Sequence, residues 1–156
     1  MAEHTNEPGR ATSVHHVVFA VTHEQLPETA QFFSELGFRF QTIELEDVGL
    51  RVLLDWDGGL ELVTPLSSGA DGSGAVAQFL QRNGSGVFSV VVRVGDASAA
   101  EQVAQRYGAQ TRFRQHRGGD GFELDEIEIS VLGLPLTFLS TDLPYKACNM
   151  SDWPKS

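Results

Sequence analysis

The chain has 156 residues, is 41% hydrophobic and carries a formal net charge of −10. That length suits one ordinary domain or two half-size modules sharing a core, and the apolar fraction excludes wholesale disorder. The excess of acids argues against nucleic acid or an anionic membrane as partner, and a lone Cys148 excludes an internal disulfide or a cysteine-based zinc site.

Met1–Thr12 is polar and has no apolar h-region, so no signal peptide is expected, and no apolar run approaches the ~20 residues of a membrane span. A reducing, cytoplasmic location follows as the expectation. Ser13–Val21, rich in β-branched residues, predicts a strand. Leu26, Ala30, Phe33 and Leu36 recur at helical spacing within Glu24–Leu36, and Gly37 ends that helix. Three strands are predicted next, at Phe38–Glu44, Leu50–Asp55 and Leu60–Pro65, the last two joined through Asp57-Gly58-Gly59. A glycine-rich loop, Ser67–Ser73, leads into a short helix, Ala75–Arg82. The order then repeats: a strand at Val87–Val94, a helix at Ala97–Tyr107, and strands at Gln110–Gln115, Phe122–Leu132 and Leu134–Ser140.

Each half thus reads strand–helix–strand–strand–strand, the mark of an internal duplication. The fold class is α+β: two βαβββ modules, 13–66 and 86–140, form a curved eight-stranded mixed sheet around a cleft, with helices on the convex face. Residues 13–140 form the domain, 1–12 a flexible lead-in and 141–156 an irregular tail. Strand alternation sorts the residues by face. His16, Val18 and Ala20 face the cleft, whereas Val17, Phe19 and Val21 pack on helices. Glu61 shares a face with Val63, and Ser89 shares one with Val91 and Arg93. Glu126, Glu128 and Ser130 lie opposite Ile127, Ile129 and Val131. His15, one residue from His16, points to the other face and reads as a rim residue.

This order, with H-H-V-V-F-A-V (His15–Val21), L-E-L-V-T-P-L (Leu60–Leu66) and A-V-A-Q-F-L-Q-R-N-G-S-G (Ala75–Gly86), resembles the vicinal oxygen chelate superfamily of glyoxalases, bleomycin-resistance proteins and extradiol dioxygenases. Within it, the methylmalonyl-CoA epimerases are most similar. The resemblance implies a metal held by one ligand from each of four strands. Carried over residue by residue, these positions are His16, Glu61, Ser89 and Phe138, so two of the four lack a ligand. No cofactor is therefore expected, and a divalent metal, if bound at all, would be bound weakly by His16 and Glu61. The alternative for these two residues is hydrogen bonding to each other or to a ligand. The resemblance also implies a carboxylate base before a glycine, which falls on Asp47; a plain turn residue before Gly49 is the alternative.

The site expected from this reading has His16, Glu61 and Asp47 as acid–base residues, with His16 titrating near neutral pH. Ser89 contributes a hydrogen bond, Arg51 and Arg93 enter the cleft, Glu128 lies near it, and Phe138 fills the place of a metal. Arg106, Arg112, Arg114, His116 and Arg117 form a basic cluster that either contacts an anionic substrate or pairs with the acids of the next strand. Cys148 has no histidine nearby in sequence and is not read as a nucleophile. Two functions stay open. One is a glyoxalase-like small-molecule enzyme, an isomerase, epimerase or lyase moving a proton next to a carbonyl or thioester. The other is a metal-free protein that binds or sequesters a small molecule. A homodimer is expected by resemblance.

Overall fold

Each apolar run forms the element that its periodicity predicts, with ends displaced by a few residues. In the computed structural model, residues 12–66, 74–119 and 121–143 are described. Most of the lead-in, the loop 67–73 and most of the tail, with Cys148, lie outside the described residues. The order is β1 (Ser13–Ala20), α1 (Leu26–Leu36), β2 (Gln41–Leu45), β3 (Leu50–Asp55), β4 (Leu60–Pro65), α2 (Ala75–Asn83), β5 (Gly86–Arg93), α3 (Ala97–Gln105), β6 (Gln110–Gly119), β7 (Phe122–Val131) and β8 (Leu134–Thr141). β6 runs four residues beyond its predicted end because its backbone stays paired with β7 as far as Gly119 opposite Phe122. Pro27 stands at the first turn of α1, where its missing N–H costs nothing, and Gly37 closes that helix in the left-handed conformation. The Asp96 carboxylate caps α3 by accepting from the N–H groups of Ser98 and Ala99.

The strands form one eight-stranded sheet in the order β2-β3-β4-β1-β5-β8-β7-β6. The two modules are β1–β4 and β5–β8, and they meet along the antiparallel pair β1–β5. Within each module, the first and last strands pair in parallel, Val18 opposite Glu61 and Val91 opposite Thr137. The alternation of β8 thereby differs from the sequence expectation at one place. Phe138 lies on the convex face, packed beside Ile127, Ala97 and Ala104, while Thr137 and Leu139 face the concave side.

The helices of the repeat cover the convex face. α1 packs over Leu53, Leu62 and Phe19, and α3 over Ile127, Ile129 and Val131. The linking helix α2 behaves differently: its Val76, Phe79 and Leu80 join the concave-side core with Val18, Val52, Val63 and Val91. Leu54, Leu62, Leu124, Ile129 and Leu139 are fully buried, and each contributes about 1.5–3 kcal/mol of transfer free energy. Among the described residues, no helix is long and apolar enough to cross a membrane.

The sheet curls until both its edges approach. Asp47, in the turn after β2, accepts from Arg117 of β6 at 3.3 Å, and the Arg117 guanidinium also donates to Gln115. Arg117 is buried and Asp47 is exposed on one side. Breaking this pair leaves a buried cation without its counter-ion. Asp47→Asn is therefore expected to lower unfolding free energy by about 1–2 kcal/mol, the exposed half of the pair moderating the loss. Urea denaturation measures it, and an unchanged midpoint would contradict the role of this pair as a tie between the sheet edges.

Candidate functional site

The β1–β5 pairing contains two irregularities, and both matter to the site. Register shifts occur between Val14 and His16 on β1 and between Val18 and Phe19 opposite Ser89 and Val87 on β5. His15 is the extra residue of the first bulge and Phe88 of the second. An extra residue breaks alternation, so two successive side chains turn to one side. His15 is accordingly buried beside His16 rather than lying on the rim, with its ring against Trp56 at 4.2 Å between centroids. Phe88 likewise lies beside Ser89 and packs edge-on against Phe79 of α2. The two bulges occupy equivalent places in the two modules. The backbone at Gly59 is held close to the first: it has φ of +76°, and a Cβ there would meet the His15 carbonyl at 3.1 Å.

A cavity of about 370 Å³ lies on the concave face. One wall is apolar, built from Ile43, Leu45, Leu50, Val52, Val63 and Val76. The other is polar, with Glu126, Glu128, Gln115 and Arg112, and the floor carries His16, Glu61, Ser89 and Thr137. His16 Nε2 lies 3.8 Å from Glu61 Oε1, and His16 Nδ1 is hydrogen-bonded to His15 Nδ1 at 2.8 Å. The Ser89 and Thr137 hydroxyls are hydrogen-bonded to each other at 2.8 Å.

Burial in the cavity disfavours the charged forms of its histidines and carboxyls. Burial, with the repulsion of Glu126, pushes the Glu61 carboxyl up to about 8. Burial, then the neighbouring His15, pushes His16 down to about 3, and burial with the nearby Arg93 cation takes His15 down to about 4. Burial also raises Glu126 and Glu128, against the hydrogen bond from Gln115 to Glu126 and the attraction of Arg112 for Glu128. At neutral pH His16 and Glu61 thus face each other as an imidazole and a carboxylic acid, not as an ion pair. The expectation that His16 titrates near neutrality is corrected by its burial.

The structure brings together His16, Glu61, Ser89 and Glu128 and leaves the other expected residues elsewhere. Asp47 is in a turn, bonded to Arg117. Arg51 ion-pairs Glu44 at 2.9 Å on the strand face away from the cavity. Arg93 donates to the carbonyls of Thr141 and Leu143, outside the cavity lining. Phe138 is on the convex face. Of the basic cluster, Arg112 lines the cavity, while Arg114 pairs with Glu101, His116 with Asp125 and Arg117 with Asp47. Thr137 and Glu126 are site residues that the sequence reading did not single out. Both were visible in strand alternation, Thr137 as the polar residue between apolar Leu136 and Phe138. His15 had no such signal, because a bulge leaves none in the local pattern.

On the concave face the equivalent positions of the two modules are His16, Glu61, Ser89 and Thr137, whereas Phe138, the fourth position that the resemblance implies, lies on the convex face. The four concave-face residues offer one imidazole, one carboxyl and two neutral hydroxyls that already satisfy each other. Among the described residues, no group of three or more His, Cys, Asp or Glu is arranged to hold a metal ion. This donor set does not fit the four-ligand centre that the resemblance implies.

Comparison with known proteins places the fold. No family model matches the chain, and no curated protein matches it. Among solved structures, a hypothetical protein from Bacillus halodurans superposes with a TM-score of 0.63 at 20% identity, covering 90% of this chain and 100% of that one. A variant methylmalonyl-CoA epimerase from Streptomyces coelicolor, in complex with 2-nitronate-propionyl-CoA, gives 0.61 at 22% identity, covering 83% and 94%. The methylmalonyl-CoA epimerase from Mycobacterium tuberculosis gives 0.57 at 21% identity, covering 81% and 86%. The chain shares the fold of these structures.

Since Glu126 helps to raise Glu61, removing its charge is expected to lower the Glu61 value. In a carbon-13 NMR titration Glu61 should titrate near pH 8, and lower in Glu126→Gln. A Glu61 midpoint in the ordinary carboxyl range around 4.5 would contradict this electrostatic account.

Proposed function

We propose that the chain is a small-molecule enzyme that moves a proton next to a carbonyl or thioester, as an isomerase, epimerase or lyase does. The observation that supports this reading is the placing of His16 Nε2 opposite Glu61 Oε1, 3.8 Å apart, on the floor of an apolar cavity. A carbonyl oxygen seated there meets the imidazole edge, and the adjacent C–H meets the carboxyl. A neutral imidazole polarises a carbonyl by donating a hydrogen bond without having to lose a charge in the process. The ionised form of Glu61, a minor fraction at neutral pH that grows as pH rises toward about 8, is a stronger base than an exposed carboxylate; it takes the α-proton and returns it. The Ser89–Thr137 hydroxyl pair offers further hydrogen bonds to the developing enolate oxygen.

The cavity also bears on the substrate. Its apolar wall suits a hydrocarbon body. Glu61, Glu126 and Glu128 line it against Arg112, which favours a polar end that is neutral or positively charged. The paired state of Arg114, His116 and Arg117 gives no support to a phosphate-rich carrier such as coenzyme A at that edge. The second reading, binding without turnover, draws on the same apolar wall.

The test is α-proton exchange in deuterated water, followed by proton NMR, on uncharged α-branched ketones and short acyl thioesters lacking phosphates. Exchange is expected with the wild-type protein, and Glu61→Gln and His16→Phe should each lower its rate by roughly 100-fold or more while remaining folded. Exchange equally fast in both variants would overturn the reading. Saturable binding with no exchange would establish the second one.

A further inference from the structure

We infer that His15 is a positioning residue that sets the tautomer of His16, donating its Nδ1–H to His16 Nδ1 so that His16 presents Nε2–H to the cavity. The inference rests on the proposed role of His16 as a hydrogen-bond donor, but it stands on its own geometry. The Nδ1 atoms of the two rings are 2.8 Å apart, so one carries the shared proton and the other accepts it. Whichever nitrogen of His16 accepts, the other must carry the hydrogen in the neutral ring. The bulge at His15 is what makes this contact possible, because in a regular strand successive side chains point to opposite faces.

Three features of the surroundings favour this direction of the bond. The Arg93 cation and burial disfavour a second proton on His15, so its ring is neutral and carries one N–H. His15 is held in place by its edge-on contact with Trp56, which leaves its Nδ1 directed at His16. His16 Nε2 faces Glu61 Oε1 at 3.8 Å, and the ionised Glu61 that acts as base can only accept from an N–H there. Module 2 has Phe88 and Ser89 at the equivalent bulge, so this two-histidine device belongs to one half of the duplicated scaffold.

The test is nitrogen-15 NMR of the histidine side chains in the full chain between pH 6 and 8, independent of any substrate. In the wild-type protein His16 should show a single tautomer with the hydrogen on Nε2. His15→Asn can still donate from its amide and should keep that tautomer. His15→Asp, when its carboxyl carbon-13 shift shows it ionised, can only accept and should turn His16 to Nδ1–H. Nδ1–H or an averaged signal in the wild type, or an unchanged His16 beside an ionised carboxylate in His15→Asp, would overturn the inference. If His15→Asp does not fold, His15→Phe replaces it; Phe keeps a ring against Trp56 but offers no hydrogen bond, and loss of the single tautomer is then expected. A retained single tautomer in His15→Phe would overturn the inference. A protein with the predicted tautomer and no α-proton exchange would count against the proposed function alone.

Discussion

Two halves of one chain meet along a single antiparallel pairing, β1 against β5, and the site depends on how that pairing departs from regularity. The register moves by one residue at His15 and returns at Phe88. Each departure turns a second side chain onto the concave side, where a regular strand would have sent it to the helices. His15 can therefore support His16 from within the sheet, and Phe88 can seat α2 through Phe79. Gly59 accommodates the first bulge with a positive φ and no Cβ against the His15 carbonyl. The remaining strands extend outward from this seam and curl until the β2 and β6 edges border one cavity and are tied by Asp47 and Arg117.

The scaffold is duplicated but its chemistry is not. Equivalent positions carry His15 and His16 in one module and Phe88 and Ser89 in the other, and Glu61 in one is matched by Thr137 in the other. Module 1 thus supplies the ionisable pair and module 2 a self-satisfied hydroxyl pair. The acidic side of the cavity comes instead from β7, through Glu126 and Glu128. Three carboxyls in an enclosed, largely apolar space cannot all ionise without large cost, and burial drives them toward their neutral forms. The same burial keeps His16 uncharged. The outcome is a floor of neutral donors and acceptors whose carboxyl titrates near the pH at which an acid–base group works.

Much of this was legible in the sequence, and the exceptions have physical causes. The repeat and the facing of His16, Glu61, Ser89 and Glu128 follow from period-2 and period-3.6 patterns, and the end of α1 from Gly37. Phe138, expected in the cleft, stands on the convex face beside Thr137 in the cavity, because a step of one residue along a strand exchanges the faces completely. The bulge at His15 breaks alternation without a local signature such as glycine or proline, so its side chain was assigned to the opposite face. Asp47 is drawn toward the site by the resemblance and Arg51 and Arg93 by their charge, whereas their partners, Arg117, Glu44 and the carbonyls of Thr141 and Leu143, are set by tertiary packing that no local pattern encodes.

The central claim is that the floor of the cavity holds an uncharged acid–imidazole pair. Neutron diffraction from crystals of the deuterium-exchanged protein at neutral pH would test it most directly, since it locates each exchangeable hydrogen. The account predicts a deuterium on the Glu61 carboxyl and a single deuterium on the His16 ring. An ionised Glu61 facing a doubly protonated His16 would contradict it.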